Sequence, residues 1–239
     1  MKLLKRIAAV ATIVAISANT LTFSAFAENV NYYQNWTSDK GNGPANGTST
    51  GNQGTTTFKS NINTGTGTFD VSWNTTAKGS GFNNLAGVGW STGKANRKIG
   101  YNLGIFQHTS GSEGCTYLDF YGWTRNSLIE YYVFENWVNY VPNDGTYVGT
   151  LNTDGADYKY YYKSANGPNI DGSGPFKQVI SVRDSNKKRT SGTITFQNHV
   201  NAWNSNPNTR LGSTWSYQSL GAEGYNSSGK ANGSVWEIQ

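Results

Sequence analysis

"SLIEYYVFENW" (Ser127–Trp137) is dense in aromatic and branched residues and reads as a strand with apolar groups on both faces. Residues two apart on a strand share a face, so Glu130 lies with Leu128, Tyr132 and Phe134, while Ile129, Tyr131, Val133 and Glu135 lie opposite. A charged group in such a run costs several kcal/mol, on the order of a few good core contacts, unless something pairs with it or uses it. Glu130 needs a partner or a task.

The neighbouring segments offer a task. Upstream, Tyr117, Tyr121, Trp123 and Arg125 share one side of a strand. Downstream, "STWSYQSLGAEGYNSSG" (Ser213–Gly229) puts Tyr217, Glu223 and Tyr225 on one side if no bulge interrupts it. Two aromatic-lined faces thus each carry one carboxylate, and a concave sheet would bring them together. Two carboxyl groups about 5–5.5 Å apart are what retaining glycoside hydrolysis requires, one ionised to attack and one protonated to release the leaving sugar. The neighbour's charge raises the pKa of the second. The plainer alternative is two edge glutamates facing solvent.

Beyond these strands, short alternating segments recur between Gly, Asn and Asp turns, among them Thr68–Trp73, Ile99–Phe106, Thr146–Asn152, Tyr158–Lys163 and Phe176–Arg183. Asn31–Trp36 reads as the first strand and Gly41–Gly54 as a loop. This pattern predicts an all-β domain built as an antiparallel sandwich or barrel. Only "TITFQNHVNAWN" (Thr193–Asn204) has helical spacing, at Val200 and Trp203, and Asn206-Pro207 stops it.

The chain opens with a basic start (Lys2, Lys5, Arg6), an apolar stretch Ile7–Ile16 and the small-x-small ending Ala25-Phe26-Ala27. This is the pattern of a secretory signal peptide over residues 1–27, too short to span a bilayer. A single domain over 28–239, exported to the extracellular medium, is expected to follow. Removing the leader leaves 16 basic against 14 acidic residues, a net charge of about +2 that gives no case for nucleic acid. One cysteine, Cys115, rules out an internal disulfide, and two distant histidines, His108 and His199, lack zinc spacing. With 33 aromatics and only 14% charged residues, the composition suits a polar, uncharged ligand such as carbohydrate.

"YGWTRNSLIEYYVFENW" (Tyr121–Trp137), "GPNIDG" (Gly167–Gly172), "FKQVISVR" (Phe176–Arg183), "GTITFQNHVNAW" (Gly192–Trp203) and "AEGYNSSG" (Ala222–Gly229) resemble the glycoside hydrolase family 11 endo-xylanases, in the family's order. "NYYQNW" (Asn31–Trp36) resembles the family's first strand. The resemblance implies a β-jelly roll of two curved antiparallel sheets with one short α-helix and a thumb hairpin over the cleft. It implies a retaining endo-1,4-β-xylanase with Glu130 as nucleophile and Glu223 as acid/base, needing no metal or cofactor.

Matching motifs also imply binding roles. Trp36 would stack on a sugar, Tyr121 and Tyr132 would position the nucleophile and its sugar, and Tyr117 and Tyr217 would line the cleft. Pro168 and Ile170 would sit at the thumb tip above Asp171-Gly172, with Gln178 reaching in from its base. Trp123 and Arg125 would support the nucleophile, and His199 would be structural. "GFNNLAGVGW" would set Asn83 beside the acid/base, with Asn84 as the other register. The chain departs from the family's pattern at Ser164 (usually arginine, with Lys163 one residue early), Ile180 (commonly tryptophan), Cys115 (commonly asparagine) and in an insertion near Lys78–Phe82. The expected partner is xylan, bound by a monomer without membrane contact after leader removal. A non-catalytic glycan-binding β-sandwich and a cellulase on a similar jelly roll are the alternatives.

Overall fold

The computed structural model describes residues 27–38, 40–50, 56–75, 81–109 and 112–239. The leader lies outside them except for Ala27, as does most of the insertion near Lys78. In chain order the strands are β1 (Tyr32–Thr37), β2 (Gly41–Asn42), β3 (Asn46–Thr50), β4 (Thr56–Asn63), β5 (Thr68–Thr75), β6 (Asn83–Trp90), β7 (Lys98–His108) and β8 (Cys115–Arg125). Then follow β9 (Ile129–Val138), β10 (Thr146–Thr153), β11 (Ala156–Asn169), β12 (Gly172–Arg183), β13 (Ser191–Thr195), the helix α1 (Phe196–Asn204), β14 (Thr214–Tyr225) and β15 (Gly229–Glu237). They make a nine-stranded sheet in the order β10-β11-β12-β9-β8-β14-β6-β1-β2 and a six-stranded sheet in the order β13-β7-β15-β5-β4-β3. This is the jelly roll.

The expected loop over Gly41–Gly54 instead contributes β2 and β3. The two sheets are antiparallel as expected, with one exception. β12 runs parallel to β9, with Gln178 opposite Glu130. Two hairpin reversals, β10 to β11 to β12, return the chain in the direction that β10 set, and β12 docks in that sense.

Central strands are covered on both faces, which is why β8 and β9 are apolar on both. Leu118 and Phe120 of β8, with Ile129, Tyr131 and Val133 of β9, point into the core between the sheets. Tyr121 and Trp123 point the other way, toward the cleft. The helix closes one side of the core with Phe196, His199, Val200 and Trp203, a stripe at i, i+3, i+4 and i+7. Tyr131 meets Phe196 and Trp203 with ring centroids 5.2 and 5.9 Å apart.

The middle of the cleft face is built from glycine. Gly87 of β6 pairs with Gly221 of β14, and a Cβ on either would lie 2.1 Å from a backbone oxygen of the facing strand. Only glycine permits that approach, and the missing side chains leave the floor open here. Among the described residues no helix is long and apolar enough to cross a membrane.

Candidate active site

Glu130 sits in the third of the nine-stranded sheet where β8, β9 and β12 meet, and is 6% exposed. Its carboxylate accepts the Tyr121 hydroxyl at 2.6 Å and the Gln178 amide at 2.5 Å. Burial pushes its pKa up, while hydrogen bonds from Gln178, Tyr121 and Tyr132 and the positive charge of Lys163 pull it back. These donors favour the charged form. Tyr121 is itself held by the Trp123 indole N–H at 2.5 Å.

Glu223 faces the same cleft from β14, 9% exposed, opposite Leu85 of β6 and Tyr117 of β8. Its Oε1 accepts the Asn83 side-chain amide at 2.9 Å. Pairing of Tyr225 with Asn83 fixes that register, and Asn84 is fully buried opposite Gly224. Burial pushes the Glu223 pKa up to about 7, the Asn83 bond opposes it, and the charge on Glu130 adds to the rise. Glu130 accepts hydrogen bonds from Tyr121 and Gln178 and Glu223 only one, so the charged form is better supported at Glu130. A register shift in β14 between Trp215 and Gln218 lies upstream of Glu223, and Tyr217 inside it still lines the cavity.

One cavity gathers most of the expected residues: Trp36, Asn83, Tyr121, Trp123, Arg125, Glu130, Tyr132, Pro168, Ile170, Gln178, Tyr217 and Glu223 all line it. The β11–β12 hairpin is the thumb, turning through Ile170 and Asp171. Arg125 reaches it by a 2.7 Å ion pair to Asp171 and a 3.3 Å hydrogen bond to the Ile170 carbonyl. Ile170 and Phe176 pack toward Tyr121 and Trp123, closing the roof onto the floor. Tyr117 lines a neighbouring hollow instead, with Cys115, Asn139, Tyr140 and Tyr225.

The departures also find their places. Lys163 stands opposite Gln178, on the cleft-facing register, and pairs with Asp144 at 2.5 Å. Ile180 packs with Phe134, Trp137 and Val182. His199 is fully buried beside Ser181 and Tyr158, with its pKa lowered by burial to about 3, so it remains neutral.

Other cleft residues have no role assigned by the sequence motifs, although Tyr32 and Gln34 lie within the first-strand stretch Asn31–Trp36. Tyr32 stacks on Tyr217 with centroids 4.7 Å apart, and Gln34 accepts the Ser219 hydroxyl at 2.8 Å. Their alternation with Trp36 on β1 was the available signal. Asp119 shares the parity of Tyr117 and Tyr121 in the same way.

Fold and site together define a class: a jelly roll whose cleft floor holds two buried glutamates under a hairpin roof. The chain matches the model described as Glycosyl hydrolases family 11 over residues 28–234, and it belongs to that family. It is 47% identical to endo-1,4-beta-xylanase 3 of Pyricularia oryzae across 64% of this chain and 62% of that protein. It is 43% identical to endo-1,4-beta-xylanase 1 of Hypocrea jecorina across 69% of this chain and 66% of that protein. The chain thus spans just under two thirds of the length of its Pyricularia relative. A solved endo-1,4-β-xylanase structure from Trichoderma reesei superposes with a TM-score of 0.67 at 36% identity, covering 86% of this chain and 98% of that one.

Proposed function

We propose that this protein is a secreted endo-1,4-β-xylanase that hydrolyses internal xylosidic bonds with retention of configuration. One observation carries the reading: two buried carboxyl groups of one cleft have unequal surroundings. Glu130 accepts hydrogen bonds from Tyr121 and Gln178, donors that favour its charged form against the effect of burial, while burial and the charge on Glu130 raise the Glu223 pKa to about 7. The family membership and the xylanases similar to this chain support the substrate.

In the first step a carboxylate oxygen of Glu130 bonds to the anomeric carbon as the glycosidic C–O bond breaks. The Glu223 proton passes to the leaving oxygen. The charge moves from Glu130, now an ester, to Glu223. Ionised Glu223 then takes a proton from water, whose oxygen attacks the same carbon and frees Glu130. Stacking of a sugar on Trp36 and enclosure by Pro168 and Ile170 would hold the chain in line.

The test is NMR of the earliest products from xylan, with carboxymethylcellulose as a parallel substrate. Reducing ends should appear from xylan, and the β-anomer first, because two displacements restore the configuration. Initial α-product would overturn the double displacement, and preference for carboxymethylcellulose would overturn the substrate.

A further inference from the structure

A third carboxyl lies under the cleft floor. Asp119 of β8 is fully buried, and neither of its oxygens has a hydrogen-bond partner among the described residues. An unpaired buried charge is expensive, and burial with the nearby charges of Glu223 and Glu130 raises the Asp119 pKa well above its ordinary value. Yet among the described residues no guanidinium or ammonium pairs with it, in contrast to Glu135 on the other face of the sheet. Its position explains what it faces. The cleft-side residues of β8 run Tyr117, Asp119, Tyr121, and the directly opposed residues are Gly221 on β14 and Phe134 on β9.

Gly221 has no side chain, so nothing on that strand stands between Asp119 and the diagonal neighbour Glu223. The titratable groups facing Asp119 are Glu223 from β14, Tyr132 and Glu130 from β9, and Tyr117, Tyr121 and the Cys115 thiol on its own strand. The nearest cation acting on the two glutamates is Lys163 of β11.

We propose that Asp119 is a third carboxyl of the active site, a positioning residue that exchanges proton occupancy with Glu223 and carries the acid/base's protonated state to higher pH. The inference rests on reading Glu223 as the acid/base. Glu223 and Asp119 hold two protons at low pH. Loss of the first leaves one proton divided between them, because two buried anions on diagonal positions beside Glu130 repel each other. Apparent pKa values then belong to the pair. While that single proton remains, a fraction of molecules still carry it on Glu223 and still turn over. The alkaline limb of the rate profile is therefore drawn out.

The experiment compares the wild type with D119N, which is isosteric and permanently uncharged, by kcat/KM against pH and by carbon-13 NMR of the labelled carboxyls. The wild type should show a broad alkaline limb, with Asp119 and Glu223 reporting the same two apparent pKa values. D119N should show a single ionisation and several-fold lower relative activity at about pH 8, on the order of what a half to one unit of displacement produces. Superimposable limbs would overturn the proposal.

A melting-temperature series separates the structural role. The unfolded Asp119 ionises near pH 4 and the folded one later, so stability is lost as pH rises between those values. D119N should thus melt higher, by a margin that widens with pH. That widening with unchanged kinetics would make Asp119 a buried structural group only, and the proposal would fall. If the wild-type limb did not follow the Glu223 resonance at all, the acid/base assignment itself would be at fault.

Discussion

Two glutamates five residues apart on β9 are almost equally buried and are treated in opposite ways. Glu135 points into the core side of the sheet, fully buried. It meets Arg189 closely, lies 3.7 Å from Arg183, and accepts the hydroxyls of Tyr101 and Tyr158 at 2.5 Å each. Glu130, on the other face, has only neutral donors in contact and one side open to the cleft. A buried acid that serves the fold is compensated on every side. One proposed to serve chemistry is given neutral donors and left open to the cleft where substrate would arrive.

The comparison breaks first on activity. Glu130→Gln should lower kcat on xylan by roughly 10⁴-fold or more, as loss of a nucleophile does. Its thermal unfolding should stay near the wild type's, since no salt bridge is lost. Near-normal activity would remove Glu130 from the reaction.

Glu223→Ala should lower turnover by about 10²–10⁴-fold, the usual contribution of a general acid. Azide should partly restore turnover of an aryl xyloside with a good leaving group. The ester on Glu130 forms without acid help, and azide attacks the anomeric carbon where water would need the base. Glycosyl azide is the product to look for by chromatography. Absence of rescue would argue against a covalent intermediate.

Glu135→Gln inverts the pattern. Activity per folded molecule should change little, while stability falls by about 3 kcal/mol or more, because two guanidinium groups are left with an uncharged partner. Denaturant titration measures the loss. A variant as stable as the wild type would show that the ion cluster around Glu135 does not hold the strand.

How much of this contrast the sequence displays follows from period and context. Alternation places Glu130 and Glu135 on opposite faces, and the family motifs bring Glu223 to Glu130. The cations around Glu135 come from Arg183 and Arg189, which only the folded order of β12, β9 and the segment before β13 brings beside it. The parallel pairing that sets Gln178 against Glu130 spans 48 residues and leaves no local pattern. β6, "NNLAGVGW", is buried throughout all but its first residue, so it lacks the alternation that marks a half-exposed strand. β3 is made of Asn, Gly, Thr and Ser, a composition that reads as loop until its pairing with β4 is known. Asp119 lies between two tyrosines on a strand, and its lack of a partner is visible only when the strands beside it are in place.

The smallest expected effect concerns Asn83, and it sharpens the contrast rather than breaking it. Glu223 resembles Glu130 in burial but accepts a single amide, from Asn83 at 2.9 Å. That bond favours the charged form and restrains the rise caused by burial and by Glu130, leaving the pKa up to about 7. Asparagine does not titrate, so the alkaline limb should report Glu223 and the carboxyls around it. The optimum should fall in the range of about 5.5–7 expected of an upward-tuned carboxylic acid. In Asn83→Asp the amide becomes a second carboxyl at the same contact. The pair then shares a proton, and its first ionisation occurs at lower pH than for Glu223 alone, because the remaining O–H stabilises the anion beside it. Unlike Asp119, which has no hydrogen bond to Glu223, the new carboxyl would touch Oε1 directly. The one proton left would be held in their hydrogen bond and not offered to the leaving oxygen, so activity should fall earlier, moving the optimum down by about one unit. Profiles of kcat/KM against pH for the two proteins decide the matter. An unmoved optimum would mean that the Asn83 contact does not govern the proton on Glu223.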